Sequence, residues 1–258
     1  MTEQVVRVER HEAIAVWTID RPDRMNALSR AVVREIGRLA REAEVDDTLR
    51  AVIITGAGDR AFCAGADLKE RQHMSEADVR DFLSLYRVSF GYLDGLSKPT
   101  VAAINGVAFG GGLEVALACD FRVMRRDTKV GLPETSLGII PGAGGTQRLT
   151  RLVGPARAKE LILFARRIDA DEALRLGIVE RVADDPVADA LAWLRPLTSA
   201  APIAISAALA AVDAATELPL EAGLTAERHC YERTLASEDR LEALAAFREK
   251  RPPVFKGR

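Results

Sequence analysis

The chain has 258 residues, of which 48% are hydrophobic and 29% are charged, and its formal net charge is -2. These values are typical of one large globular domain, or of a domain with an appendage, and they leave room for a sizeable core. The weak charge excludes a bulk electrostatic attraction to nucleic acid, a membrane surface or a polyanionic partner, so any anionic ligand must be met by local groups.

Strand-like and helix-like segments alternate along the first half of the chain. Segments rich in β-branched and apolar residues predict strands at residues 13–20, 51–55, 100–104 and 121–124. Apolar residues at helical spacing predict helices at residues 29–45, 75–96 and 112–119. Ser29 is predicted as an N-cap, and Ser75 with Asp78 resembles a capping box. Parallel strands joined by helices are the simplest arrangement of this order.

The character of the sequence changes beyond about Pro196, where alanine and leucine dominate. Helical spacing runs through residues 203–213, 220–235 and 238–248. We therefore divide the chain into a core of residues 1–195 and an all-helical region of residues 196–258. The apolar faces of this region are too extensive for single surface helices, so we expect them to pack on a neighbouring subunit as well as on the core.

The cysteines and the N-terminal residues indicate the cellular compartment. Cys63, Cys119 and Cys230 are odd in number, far apart and without CxxC spacing, which argues against a disulfide framework and a zinc site. Residues 1–6 lack a basic start followed by an apolar run, and no run of eighteen apolar residues occurs. We expect a cytoplasmic protein with neither export nor a membrane span.

Two glutamates each lie beside a glycine-rich turn. Glu114 follows Gly110-Gly111-Gly112-Leu113, and Glu134 precedes the turn Pro141-Gly142-Ala143-Gly144-Gly145. Carboxylates can move protons to and from carbon and water, while bare glycine amides can hold a developing oxyanion. The combination suits chemistry next to a thioester carbonyl.

A third glycine motif, Gly56-Ala57-Gly58-Asp59-Arg60-Ala61, matches the dinucleotide-binding pattern G-x-G-x-x-A after a predicted strand. A phosphate-binding helix would have to begin there, but small irregular residues follow and the next clear helix is predicted only near Ser75. We therefore expect tight turns and close packing here and no nucleotide cofactor.

Four segments in this order resemble the enoyl-CoA hydratase/isomerase, or crotonase, family: Arg21-Pro22-Asp23-Arg24-Met25-Asn26-Ala27-Leu28, Ala61-Phe62-Cys63-Ala64-Gly65-Ala66-Asp67-Leu68, Asn105-Gly106 through Glu114, and Pro133-Glu134 through Arg148. Ala118-Cys119-Asp120 and Phe255-Lys256 extend the likeness over nearly the whole chain. The resemblance implies an α/β fold with a repeated β/β/α spiral core and a helical C-terminal region, assembled as a homotrimer or as a homohexamer of two trimers.

The resemblance also implies which residues carry the chemistry. The backbone amides of Ala66 and Gly111 would form an oxyanion hole for the thioester oxygen. Glu114 and Glu134 would hold a water for addition across the 2,3 double bond of a 2-enoyl-CoA, giving a 3-hydroxyacyl-CoA. The Gly142 amide would orient that water or a carboxylate. Which glutamate activates water and which delivers the α-proton stays open, because the pair shares protons.

Coenzyme A is expected as a part of the substrate, and this chemistry needs no metal, flavin or nicotinamide. The resemblance places the thioester at Gly111 and a set of residues around the adenine and pantetheine arm: Arg24, Ala27, Ala64, Ala66, Asp67, Leu68 and Lys69. It also places Lys256, of the same or of a neighbouring subunit, near the phosphates. For Arg24, Lys69 and Lys256, a solvated surface role is an equal alternative.

Two other activities stay open. An isomerase would move the double bond with one glutamate, so possession of both favours a hydratase. Residues 131–135 and 137–140 look closer to the methylglutaconyl-CoA hydratases that also bind AU-rich RNA than to the short-chain enzymes. The preferred acyl group depends on pocket residues around 74–92 and on the C-terminal helices.

An RNA-binding side activity would use a basic stripe on the first predicted helix, formed by Arg30, Arg34, Arg38 and Arg41. Such a stripe could contact phosphates. Glutamates intervene, no stacking aromatics accompany the arginines, and amphipathic helices often carry a charged face. We therefore expect no nucleic-acid partner.

Overall fold

The structure is a computed structural model and describes residues 4–258. Its ten strands are β1 (Val6–His11), β2 (Ile14–Ile19), β3 (Ala51–Gly56), β4 (Ala61–Cys63), β5 (Thr100–Ile104), β6 (Val107–Phe109), β7 (Phe121–Arg125), β8 (Lys129–Gly131), β9 (Arg167–Asp169) and β10 (Arg181–Ala183). The α-helices of the described residues are α1 (Arg30–Glu44), α2 (Leu68–Arg71), α3 (Glu76–Asp94), α4 (Gly111–Leu117), α5 (Gly145–Val153), α6 (Pro155–Leu163), α7 (Ala170–Arg175), α8 (Pro186–Leu194), α9 (Pro202–Glu217), α10 (Leu220–Leu235) and α11 (Glu238–Glu249).

The strands form two sheets, and the chain alternates between them. One sheet has the order β1-β2-β3-β5-β7-β10, and the other has the order β4-β6-β8-β9. The pairs from β2 to β10 in the first sheet are parallel, whereas β1 pairs antiparallel with β2. Each of β3, β5 and β7 is followed by a short strand of the second sheet and then by helical segments. This is the predicted β/β/α repeat.

Both faces of the first sheet are buried, which explains the continuous apolar runs of its strands. Alternate side chains point to opposite faces. On one face, Ile53 and Val101 pack against Ala190 and Leu194 of α8. On the other face, Ile54 and Ala102 belong to the larger core that includes residues of α1, α3 and α4.

The first two long helices begin where the sequence predicts. The Ser29 hydroxyl accepts a hydrogen bond from Val32 N (3.3 Å) at the start of α1. Ser75 and Asp78 form both hydrogen bonds of a capping box at the start of α3. The two helices pack along each other, and a Cβ on Gly37 would lie 2.7 Å from the Ser89 hydroxyl. A larger residue at position 37 would push them apart.

The region between residues 56 and 75 differs in part from its prediction. The G-x-G-x-x-A motif joins β3 to β4, so it links two sheets and does not open a helix. A short helix, α2, nevertheless occurs before Ser75, where the sequence predicted none. Its four residues are too few for a periodic apolar pattern, and its start depends on a side-chain cap: Asp67 Oδ1 accepts from Lys69 N and Glu70 N.

The C-terminal helices α9, α10 and α11 bury few side chains. Within one chain, α10 has no buried residue and α9 has only Ala207. Large apolar side chains of this region are exposed, among them Val212, Leu220, Tyr231, Leu241 and Phe247. No strand follows Ala183 in the part of the chain that the structure describes. The domain boundary at residue 195 and the packing on a neighbouring subunit stay predictions.

No single helix within residues 4–258 is both long and apolar enough to cross a membrane. Two consecutive helical segments, Pro186–Ser199 and Pro202–Glu217, are long and apolar enough only when they are taken together. The chain bends by 115° between them. The three cysteine thiols are free.

Candidate active site

Helix α4 begins at a glycine turn that no other residue type fits. Gly110 has φ of 53° and ψ of -125°, a conformation that glycine adopts without strain. A Cβ on Gly112 would collide with the carbonyl oxygen of Cys63. All seven residues of α4 are buried, so the N-terminal end of a helix is held inside the protein.

The backbone amides of Ala66 and Gly111 lie side by side at this end. The Ala66 nitrogen is 3.7 Å from the position that a Cβ on Gly111 would occupy, and the Gly111 nitrogen is 3.7 Å from the corresponding position on Gly65. Among residues 4–258, neither N–H has a hydrogen-bond acceptor. Two unpaired N–H groups beside a helix N-terminus form a place where negative charge is favoured.

The segment before α1 fixes the position of Ala66. Leu28 N donates to Gly65 O (2.8 Å), and Asp67 N donates to Leu28 O (3.0 Å). Because these bonds use the groups on either side of Ala66, the Ala66 N–H points to the opposite side. Arg21 strengthens this contact through an ion pair of 2.8 Å with Asp67.

Asn26 ties the same segment to the strand below it. Its side-chain amide donates to Ala57 O (3.0 Å) and Ala61 O (2.7 Å), and its oxygen accepts from Arg21 N (3.0 Å). Asn26 is fully buried with a φ of 55°, a region that asparagine tolerates better than most residues. This explains why an asparagine occupies the centre of the first motif.

The Glu114 carboxylate is held by the second glycine-rich turn. Its Oε1 atom accepts hydrogen bonds from Ala143 N (2.7 Å) and Gly145 N (2.8 Å). Only 3% of Glu114 is exposed, and burial raises its pKa, while the two N–H groups act in the opposite direction. The predicted donor, the Gly142 amide, is not one of the two that bind this carboxylate. That the Gly142 amide orients the water stays a prediction.

Glu134 lies close to the N-terminal end of the same helix, α4, and its carboxylate has fewer hydrogen-bond donors than that of Glu114. Its Oε1 atom is 2.9 Å from the position of a Cβ on Gly110, and its Oε2 atom is buried with no partner in residues 4–258. Burial, together with the neighbouring Glu114 carboxylate, raises the pKa of Glu134 to about 7. The two carboxylates therefore interact, and their protonation equilibria are coupled.

The whole chain resembles known proteins of one family. The sequence model of the enoyl-CoA hydratase/isomerase family matches residues 9–258. The chain belongs to the enoyl-CoA hydratase/isomerase family. It is 44% identical over 252 residues to an enoyl-CoA isomerase/hydratase of Mycosarcoma maydis, covering 93% of this chain and 91% of that protein.

Two further comparisons confirm the predicted family and the crotonase-like fold. The chain is 42% identical over 266 residues to the mitochondrial methylglutaconyl-CoA hydratase of Rattus norvegicus, covering 99% of this chain and 84% of that protein. The crystal structure of an enoyl-CoA hydratase from Bacillus anthracis matches with a TM-score of 0.96 and 43% identity, over 99% of this chain and 100% of that chain.

The remaining residues predicted for this family's CoA site lie in different environments. Ala27 and Asp67 are buried, Ala64 and Ala66 are half-buried, and Arg24, Leu68 and Lys69 are exposed near α2 and the first turn. Lys256 lies far along the chain on the C-terminal tail, where its N–H donates to Asp239 Oδ1 (2.6 Å). Asp67 is already engaged as a helix cap and as the partner of Arg21.

The arginines of α1 are mostly engaged with neighbours. Arg30 pairs with Asp78, and Arg38 pairs with glutamates of its own helix. The Arg41 guanidinium lies 5.3 Å from the centre of the Tyr92 ring. Contacts between these arginines and nucleic-acid phosphates would have to compete with these interactions. The expectation of no nucleic-acid partner stays a prediction.

Sequence reasoning missed the Ala143 and Gly145 amides and the bracing by Arg21 and Asn26. The only signal for the amides was the glycine-rich turn itself, which predicts exposed backbone but not its direction. Residues 4–258 contain no group of three or more His, Cys, Asp or Glu side chains placed to hold a metal ion.

Proposed function

We propose that this member of the family is an enoyl-CoA hydratase, a hydro-lyase that adds water across the 2,3 double bond of a 2-enoyl-CoA. One observation carries the proposal: two interacting buried carboxylates, Glu114 and Glu134, lie beside the same helix end as two unpaired amides. Hydration needs both parts at once, a group that stabilises an enolate oxygen and groups that handle two protons.

The amides of Ala66 and Gly111 serve as the oxyanion hole in this proposal. The thioester oxygen accepts a hydrogen bond from each of the two N–H groups, and the N-terminal end of α4 adds a favourable dipole. Attack at C3 sends the electrons of the double bond to this oxygen. One such donor is typically worth about 3 kcal/mol in the transition state.

The two glutamates divide the proton transfers according to their surroundings. Glu134 has the pKa of about 7, so it retains a proton near neutral pH and delivers it to C2. Glu114 is fixed by two N–H donors and takes the proton of the attacking water as the oxygen–C3 bond forms. The product is 3-hydroxyacyl-CoA, and proton exchange between the two carboxyls restores the starting state.

Other assignments of the family are weaker for this chain. Isomerisation moves one proton from C4 to C2 and needs only one carboxylate. In this protein two carboxylates, those of Glu114 and Glu134, are buried and interact. A methylglutaconyl-CoA hydratase-like activity is the second candidate. It uses the same chemistry on a branched acyl group, and the 42% identity to the rat enzyme over 99% of this chain supports it.

The binding of the CoA part is also a proposal. Coenzyme A enters as a part of the substrate, with no separate cofactor, and exposed residues near α2 such as Arg24, Leu68 and Lys69 are available to meet it. Lys256 would act at the phosphates, of the same or of a neighbouring subunit. We also propose assembly as a homotrimer or homohexamer in the cytoplasm. The exposed apolar side chains of α9 to α11 support self-association.

The test is the hydration of crotonyl-CoA, followed by loss of the ultraviolet absorbance of the conjugated thioester. Glu114→Gln and Glu134→Gln should each lower kcat by at least about 100-fold. Glu217→Gln, on the exposed surface of α9, is the matched control and should keep full activity. Near-normal turnover in both active-site variants would refute the proposal. Conversion of a 3-enoyl-CoA without hydration of any 2-enoyl-CoA would favour the isomerase.

A further inference from the structure

The second glycine-rich turn presents two backbone donors to a single atom. Ala143 N and Gly145 N donate to the same Glu114 oxygen, Oε1, over 2.7 Å and 2.8 Å. The two donors belong to different peptide groups, and the Ala143–Gly144 peptide lies between these groups. The direction of this middle peptide therefore decides whether the flanking N–H groups converge on the carboxylate.

Local backbone preference does not fix this turn. Gly144 has a φ of 105°, which glycine adopts without strain and other residue types rarely adopt. Glycine also loses more conformational freedom on folding than other residue types, and the turn contains Gly142, Gly144 and Gly145. Contacts from outside the turn are needed to hold it in one conformation.

The Arg148 side chain supplies such a contact to the middle peptide. Its Nη1 atom donates to the Ala143 carbonyl oxygen (3.2 Å). The guanidinium also occupies the space beside Gly144, because a Cβ at that position would collide with Arg148 Nη1. The glycine at position 144 thus gives the turn its backbone angle and leaves room for the arginine.

Asp94 holds the other side of the same guanidinium. Its two carboxylate oxygens accept from Arg148 Nε and Nη2, each over 3.1 Å, in a bidentate pair. Asp94 is the last residue of α3, where the helix dipole disfavours a negative charge. The pair with Arg148 offsets this cost, so the arginine explains why a carboxylate occupies the end of this helix.

Polar contacts therefore connect the end of α3 with the Glu114 carboxylate. Asp94 binds Arg148, and Arg148 binds the Ala143 carbonyl. The N–H groups on either side of that peptide then bind Glu114. Helix α5 begins at Gly145 and carries Arg148 one turn later, so one short helix supplies both a donor to the carboxylate and the side chain that braces the turn.

Arg148 also places a positive charge near Glu114. Burial raises the pKa of the Glu114 carboxyl, whereas the two N–H donors lower it and the Arg148 guanidinium lowers it further. Within residues 4–258, the other ionisable side chains that interact with Glu114 are Glu134 and Tyr86 of α3, and neither is a cation. Loss of the arginine would therefore leave Glu114 protonated up to a higher pH.

We propose that Arg148, anchored by Asp94, is a positioning residue for Glu114. It holds the Ala143–Gly144 peptide so that both flanking N–H groups bind the carboxylate in one orientation. This inference rests on the proposed hydratase function, in which Glu114 takes the proton of the attacking water. Arg148 and Asp94 act through the turn and do not have to touch the substrate.

The test is the kinetics of crotonyl-CoA hydration by variants of the pair. Arg148→Met should lower kcat by about 10- to 100-fold, because a misplaced base reacts more slowly, and should change KM by less than about twofold. The pH below which kcat/KM falls should move upward, because Glu114 must be ionised to accept a proton. Asp94→Asn should lower kcat by a smaller factor, since the arginine keeps its contact with the turn. The double variant should be no slower than Arg148→Met, because Asp94 acts only through the arginine.

Two further variants separate charge from geometry. Arg148→Lys keeps the charge but lacks the planar fork that reaches both Asp94 and the turn. It should return the pH profile toward that of the wild type while kcat stays lowered. Arg151→Met is the matched control, because Arg151 is exposed on the same helix and donates only to Gln147 within the described residues. Unchanged kcat and pH profile in Arg148→Met, or an equal loss in Arg151→Met, would overturn the proposal.

Hydrogen exchange separates this proposal from the hydratase assignment, because it needs no turnover. Mass spectrometry should show exchange of amides 142–147 that is at least about tenfold faster in Arg148→Met than in Arg151→Met, while the amides of β3 keep their protection. This result without hydration of any 2-enoyl-CoA by the wild type would support the positioning role and remove the hydratase assignment. Equal exchange and equal kcat in the two variants, with normal hydration by the wild type, would refute the positioning role and leave the hydratase assignment standing.

Discussion

Arg122 and Glu180 form an ion pair of 2.8 Å at the end of α4 that is opposite to Gly111. The Arg122 guanidinium also donates to Cys119 O (2.8 Å), Asp120 O (3.1 Å) and Ile178 O (2.7 Å). It thus satisfies carbonyl groups just beyond a short buried helix whose other end carries the candidate oxyanion hole.

Arg122→Met should lower the free energy of unfolding by about 3 kcal/mol, because it leaves buried carbonyls and the Glu180 carboxylate without their partner. Arg126→Met is the control, since that side chain is 63% exposed and its nearest carboxylates are 3.8 Å and 3.9 Å away. The control should change stability by no more than about 0.5 kcal/mol. Urea unfolding measures the free energy of unfolding of both variants. Equal values for the two variants would contradict this role of Arg122.

The rate of hydration should fall as the pH rises above 7. Glu134 delivers its proton to C2 in the proposed mechanism, and its pKa is about 7. Above that value the protonated fraction, and with it kcat/KM, should fall about tenfold per pH unit. The profile of kcat/KM between pH 5 and pH 9.5 measures this, with protein integrity checked by circular dichroism. A profile that stays flat to pH 9 would exclude Glu134 as the acid.

The raised pKa of Glu134 makes the folded protein less stable at high pH. In the unfolded chain Glu134 has its ordinary pKa of 4.5, and in the folded protein the value is about 7. Between these values the unfolded state releases a proton that the folded state keeps, so stability is lost as the pH rises from 4.5 to 7. Below 4.5 both states hold the proton and the penalty is absent.

Glu134→Gln should therefore stabilise the protein at pH 8, by up to about 3 kcal/mol relative to its effect at pH 4.5. The glutamine is uncharged in both states and carries no such penalty. Thermal unfolding of the two proteins at a series of pH values measures the difference. A constant difference across the series would show that the Glu134 pKa is not raised in the folded protein.

Substitution by alanine should have opposite effects on stability at two glycines. Gly112→Ala would place a methyl group on the Cys63 carbonyl and should prevent folding or abolish activity. Gly91 lies on the exposed side of α3 with nothing within 4 Å of its Cβ position, so Gly91→Ala should raise stability by about 0.5–1 kcal/mol. Soluble yield and the melting temperature distinguish the two. A soluble, active Gly112→Ala protein would contradict the tight packing described for α4.

Local signals determined much of the fold. The caps at Ser29 and Ser75, the apolar spacing of α1 and the apolar runs of β3 and β5 involve residues that are close along the chain, and their predicted bounds agree with the structure within one or two residues. Three-residue strands such as β4 and β6 were not predicted, because so short a segment has no periodicity and becomes a strand only by pairing with another.

The sequence by itself determined the family, through the order of its glycine and glutamate motifs, and the alternation of strands and helices. The tertiary structure decided the surroundings of the two carboxylates. Glu114 is held by amides 29 and 31 residues away, and burial together with Glu114 raises the pKa of Glu134 to about 7. Burial and hydrogen bonding between distant segments exist only once the chain has packed, so no local pattern of residues encodes them.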